Sequence, residues 1–115
     1  FLYDHAHALI SAFNNQIPFL DYFHKLPLER TKQVHLSHPS FENQIAKDSH
    51  DLPTSEQVNF CIDQLDTTAI AYTVEFYKSL ADLQICLDKL KVVLNNIFYG
   101  FFKFTSLFNT LPLFF

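Results

Sequence analysis

Asp4-His5-Ala6-His7, Gln33-Val34-His35-Leu36-Ser37 and Asp48-Ser49-His50-Asp51 place four of the six histidines beside or near acidic residues. A fourth stretch, Val74-Glu75-Phe76-Tyr77, sets a lone carboxylate at the end of an apolar run. Imidazole nitrogens and carboxylate oxygens arriving together at strand ends are the donor set of a divalent-metal site. Asp4 and His7 are three apart, so a chain turning into helix brings both to one point. Asp48 and His50 are two apart, and in extended backbone alternate residues share a face. His35 and Glu75 each close a strand-like run. The candidate metal ligands are therefore Asp4, His7, His35, Asp48, His50 and Glu75.

Six donors exceed what one catalytic ion needs when a position stays open for substrate, so the set fits two or more ions. Mixed nitrogen and oxygen donors suit iron, zinc or manganese. The absence of clustered cysteine speaks against structural zinc or an iron–sulfur cluster. Each element also has a plainer reading on its own. His7 or His35 alone is a hydrogen-bonded histidine under a loop, and Asp48 or Asp51 alone is a turn former. Glu75 resists that treatment, because a carboxylate ending a buried strand must be paired, protonated or metal-bound. His5, His24 and His38 are read as either supporting the ligands from behind or lying at the surface, with His38 the nearest to the site.

The elements that must position these groups follow from the apolar pattern. Phe1 to Asp4 reads as a short strand, and Ala8 to Asn15 as a helical turn or two facing inward through Leu9, Ile10 and Phe13. Pro18 suits the first turn of a helix carrying Phe19, Leu20, Phe23 and Leu26, which Pro27 ends. Thr31 to Leu36 alternates apolar and polar residues as a strand does. Ser37 to Pro53 is polar and reads as a long irregular loop. Thr54 and Gln57 form a capping box for a helix through Leu65, with Val58, Ile62 and Leu65 inward. Ala69 to Val74 is a β-prone run of the kind buried in parallel sheets. Ser79 starts a helix whose Leu80, Leu83, Leu87, Leu90 and Leu94 make one stripe.

Strand–helix order repeated from residues near 1, 31 and 69 implies an α/β fold with right-handed crossovers and a parallel sheet. A (β/α)₈ TIM barrel of about 250 residues spends roughly 30 on each strand–helix unit. Residues 1–96 then hold three units, the C-terminal half of such a barrel. Residues 97–115 differ in kind. Seven of the fourteen phenylalanines lie there with Lys103 the only charge. Gly100, Lys103, Asn109 and Pro112 weaken a membrane-span reading of that stretch. The alternatives are a closing element packed on the barrel or sequence foreign to the domain.

Bulk properties narrow the function. The 115 residues fit one small domain, and 49% apolar with 17% charged residues speaks against disorder. A net charge of -4 carries no basic footprint for nucleic acid. A single glycine rules out a phosphate-cradling Gly-rich loop. Cys61 and Cys86 fall in helical segments and read as core thiols of a reducing, cytoplasmic compartment.

Leu2-Tyr3-Asp4-His5-Ala6-His7-Ala8 resembles the hydrophobic-x-D-x-x-H/N segment of the multinuclear non-haem iron-dependent oxidative enzymes, long catalogued as a domain of unknown function. Leu26-Pro27-Leu28-Glu29-Arg30, Gln33-Val34-His35-Leu36-Ser37, Asp48-Ser49-His50-Asp51-Leu52-Pro53 and Val74-Glu75-Phe76-Tyr77 resemble further motifs of that family in the same order, over roughly residues 1 to 94. The resemblance implies a TIM barrel similar to xylose isomerases, with two or three irons. It also implies dioxygen chemistry on cysteines of ribosomally made peptides, and a small partner protein that holds the leader peptide. By resemblance, the six candidate ligands fall on the family's iron positions. Further histidine and glutamate ligands of the family's first barrel half are not in this chain, so the isolated polypeptide is expected to be inactive. The competing expectations are a zinc- or manganese-dependent isomerase or phosphodiesterase on the same barrel, and an inactive barrel remnant.

Overall fold

A computed structural model describes residues 1–65, 68–69, 71–97, 103–106 and 113–114. The elements run β1 (Leu2–Asp4), α1 (His5–Asn14), α2 (Phe19–Phe23), a 3₁₀ turn (Leu28–Arg30), β2 (Gln33–Leu36), β3 (His38–Glu42) and β4 (Ile45–Asp51). They continue as α3 (Ser55–Leu65), β5 (Ala71–Val74), α4 (Leu80–Ile97), β6 (Lys103–Ser106) and β7 (Leu113–Phe114). The fold is mixed α/β, built on a small parallel sheet of order β1-β2-β5-β6, with β7 antiparallel at its edge.

The sheet's two faces have different jobs. Tyr3, Val34, Leu36, Tyr72 and Val74 point to one side and are at most 1% exposed. There they join Val58, Cys61, Ile62 and Leu65 of α3 and Leu83, Leu87, Leu90 and Leu94 of α4 in one core. Period-2 alternation then forces Asp4, Gln33, His35 and Thr73 onto the opposite face. Registry aligns them, since Asp4 pairs with His35 and His35 with Thr73. Glu75, two residues beyond Thr73, extends the ladder by donating its amide to the Leu36 carbonyl at 2.9 Å.

The reciprocal cap at α3 forms as its sequence directs. The Thr54 amide donates to Gln57 Oε1 at 2.8 Å, and the Gln57 amide donates to Thr54 Oγ1 at 3.2 Å. Ser79 Oγ likewise accepts from the Asp82 amide at the start of α4. Leu80 departs from the expected stripe at 59% exposure, because it lies in the first turn, beyond the reach of the core.

Three further expectations are corrected. Ser37 to Pro53 is mostly the antiparallel β3–β4 hairpin, not irregular loop. Its two-residue turn is Asn43-Gln44, both at positive φ (50° and 62°), the geometry that suits the right-handed twist of the flanking strands. The inward face of α1 is His5, Ala6, Ala8 and Ala12, whereas Phe13 is 44% exposed. Small alanines there let the helix approach its neighbours closely. Finally, α2 stops at Phe23, four residues before Pro27. Within the Phe-rich stretch, β6 pairs in parallel with β5 from Ala71↔Lys103 to Val74↔Ser106, while the rest of that expectation falls outside the described residues. No helix among the described residues is long and apolar enough to cross a membrane.

Candidate metal centre

The C-terminal ends of β1, β2 and β5 lie side by side, and each delivers one donor. Asp4 ends β1 and also caps α1, its Oδ1 accepting from the His7 amide at 2.9 Å. That leaves Oδ2 for the sheet face, where it sits 3.8 Å from His35 Nδ1. The same nitrogen is 2.8 Å from Glu75 Oε1. One ligand atom each from Asp4, His35 and Glu75 fall within 4.8 Å of one another. Their side chains are 18%, 19% and 12% exposed, so bulk water screens them only weakly.

The hairpin brings Asp48 and His50 up to these three, and α1 supplies His7. Its docking onto α1 uses the Asn14 side chain as a surrogate strand. Asn14 Nδ2 donates to the Ala46 carbonyl at 3.1 Å, and the Ala46 amide donates to Asn14 Oδ1 at 2.8 Å. At the far end of β4, Asp48 and His50 share a side, with His50 Nε2 3.4 Å from Asp48 Oδ2. The same carboxylate oxygen lies 2.8 Å from His7 Nε2. His50 Nδ1 faces Glu75 Oε2 at 3.8 Å. All six candidate ligands therefore form one unbroken series: Asp4, His35, Glu75, His50, Asp48, His7.

His50 is held in an unusual way. Its φ of 50° lies in the left-handed region that favours glycine, which for a non-glycine residue costs about 1–3 kcal/mol. Its ring tilts against Tyr77, with centroids 5.9 Å apart. Neighbouring Asp51 accepts from Lys78 and from Ser49 Oγ, tying the end of β4 to the segment after β5. His50 Nδ1 is buried without a hydrogen-bond partner. A buried imidazole nitrogen aimed at a carboxylate beyond hydrogen-bond reach fits a cation held between them.

Electrostatics at the rim follow the same contacts. The hydrogen bond from His7 to the Asp48 carboxylate, aided by the charges of Asp4, Asp48 and Glu75, raises the His7 pKa above the ordinary imidazole value against a smaller opposing effect of burial. Lys78 and Ser49 hold the Asp51 carboxyl below the usual carboxylate value.

The outlying histidines are sorted by their partners. His5 lies in the core and not at the surface. It is 2% exposed, shares a 2.8 Å hydrogen bond through Nδ1 with the Tyr3 hydroxyl and packs against Phe19 and Phe60. Burial, then the nearby His38, lower its pKa to about 4, so it is a neutral core residue. His38 meets the Gln57 amide at 2.7 Å beside the α3 cap, and His24 is exposed. Sequence reasoning passed over Gln33, whose Nε2 lies 3.1 Å from His35 Nε2 and donates to Thr73 Oγ1 at 3.1 Å. Its two-residue spacing from His35 was the available signal, since it puts both on one face.

No family model, curated protein or solved structure matches the chain. Its chemistry is therefore read from these side chains. Three imidazoles and three carboxylates, with oxygen and nitrogen but no sulfur, suit a cation of intermediate hardness such as iron, manganese or zinc. A second cavity, a groove of about 680 Å³ between α3 and α4, is lined mainly by Leu52, Val58, Ile85, Cys86, Leu90 and Val93 and has no comparable donor set.

Proposed function

We propose that this chain carries the metal centre of an iron-dependent oxidase built on a (β/α)₈ barrel. Asp4, His35 and Glu75 hold one cation, and His50, Asp48 and His7 extend the site to a second. The observation that carries this reading is the unbroken series of six donors drawn from β1, α1, β2, β4 and the end of β5. Unrelated surface histidines and carboxylates have no reason to converge on one sheet edge. The barrel reading draws support from the strand order β1-β2-β5-β6, which never reverses. It also draws support from Asp4, His35 and Glu75 lying together at the C-terminal ends of adjacent parallel strands, where a barrel carries its site.

Iron bound there supplies dioxygen activation and one-electron chemistry. The chain's own residues orient and hold it. Asp4 divides its two oxygens between the helix cap and the cluster, and Gln33 braces the His35 ring. Resemblance to the multinuclear non-haem iron-dependent oxidative enzymes extends the proposal to a cysteine-containing precursor peptide as substrate, with a small leader-binding partner. A reducing cytoplasmic setting accords with Cys61 and Cys86 being free thiols.

Anaerobic loading with ferrous iron, followed by removal of free metal and elemental analysis, tests the reading. The chain should retain iron, and His35→Ala should retain less. Equal iron in both overturns the assignment. In a complete barrel containing this chain, zinc at full occupancy with no oxygen consumption moves the function to a non-redox isomerase or phosphodiesterase.

A further inference from the structure

Gln33 does more than fill space beside His35. Its amide nitrogen sits 3.1 Å from both His35 Nε2 and Thr73 Oγ1, bridging β2 and β5. With an N–H donated to Nε2, the neutral His35 ring carries its proton on Nδ1, where it donates to Glu75 Oε1 at 2.8 Å. A cation between Asp4, His35 and Glu75 needs the Nδ1 lone pair, so the ring must then carry its proton on Nε2. Gln33 can serve both states. Turned over, its amide presents Oε1 to the Nε2–H. The Thr73 hydroxyl, which both donates and accepts, follows by donating to the same oxygen. Leucine at position 33 would serve neither state, and glutamate only the second.

We propose that Gln33 is a positioning residue whose reversible amide, paired with Thr73, holds Nε2 of His35 whether or not it carries the proton, while Nδ1 faces Asp4 and Glu75. The inference rests on the metal-site reading for its purpose, but the tautomer it describes exists without any cation. Metal-binding histidines depend on the partner of their second nitrogen, and losing that partner weakens binding by about 10–100-fold.

Nitrogen-15 ring correlations of the full chain test it, with zinc(II) alone as the diamagnetic probe. Metal-free wild type should show the Nδ1–H form of His35, and the zinc-loaded protein the Nε2–H form. Gln33→Glu should show a proton on Nε2 as well as on Nδ1 without metal, since carboxylates then flank both nitrogens, and bind zinc at least as tightly as wild type. Gln33→Leu should keep Nδ1–H, which Glu75 still accepts, and bind zinc about 10–100-fold more weakly because Nε2 has lost its partner. Metal-free wild type in the Nε2–H form overturns the proposal, as does a His35 ring that gains no Nε2 proton in Gln33→Glu. If wild type binds no zinc yet the Nε2 proton follows residue 33, the positioning role stands and the metal-site reading falls. Gln33→Glu keeps the size of the side chain, so it remains informative if the leucine variant misfolds.

Discussion

Replacing Glu75 by glutamine separates a metal ligand from a mere partner of His35. In the metal-free protein, Glu75 and Asp4 offer oxygens within 4.8 Å of one another. At an effective dielectric of about 20, two such charges repel by about 3 kcal/mol. Glutamine removes that repulsion and also the charged acceptor facing His35, a hydrogen bond worth about 1.5–3 kcal/mol. The two effects nearly cancel, so the metal-free melting temperature should move by no more than a few degrees. Adding a divalent cation changes the comparison. At about 100 times its Kd, a cation bound only to the folded chain adds about 2.7 kcal/mol. For a domain of this size that raises Tm by roughly 10 °C. Loss of a direct ligand should weaken affinity at least as much as loss of a supporting residue, about 100-fold. The same cation concentration then adds only about 0.4 kcal/mol to Glu75→Gln, or roughly 2 °C. Scanning calorimetry of both proteins, with and without manganese(II), reads this directly. Equal cation-induced shifts refute the ligand assignment. A metal-free variant that melts some 10 °C lower makes Glu75 a structural partner instead.

Three further outcomes follow from the same contacts. His7 has a raised pKa in the folded chain, so the stability it contributes is complete below the ordinary imidazole value near 6.5 and fades as pH rises through the folded value. Asp48→Asn should lower the His7 midpoint in an NMR titration and abolish that pH dependence; an unmoved midpoint contradicts the contact. Asn14→Ala removes both hydrogen bonds that dock β4 on α1. It should cost about 1–3 kcal/mol and speed amide exchange in the hairpin more than in β2 or β5; uniform acceleration contradicts local docking. Burial raises both thiol pKa values, Cys61 more than Cys86. A disulfide-exchange reagent should therefore label Cys86 faster in the native chain and both sites equally in denaturant.

Much of the site was legible because its residues obey simple periods. Asp4, His35 and Glu75 stand at the ends of short apolar, alternating or β-prone runs that mark strands, and the register of parallel strands then aligns them without further instruction. Asp48 and His50 are two apart in what proved to be β4, so their shared side held although the hairpin went unseen. The hairpin hid because its turn uses Asn43-Gln44 in place of glycine and because its strands carry Pro39 and many polar residues. The inward face of α1 was misjudged for a related reason. Alanine contributes little to an apolar stripe yet permits close packing, and His5 enters the core only because Tyr3 supplies its hydrogen bond. Gln33 escaped notice because an amide gains meaning only from the ring and hydroxyl it bridges.

Crystals of the chain soaked in manganese(II) and measured at an anomalous wavelength test the central claim most directly. The account predicts a peak bounded by Asp4 Oδ2, His35 Nδ1 and the Glu75 carboxylate, with a second near His50 and Asp48 at higher occupancy of the soak. Peaks confined to other carboxylates, with His35 still donating to an unliganded Glu75, would contradict it.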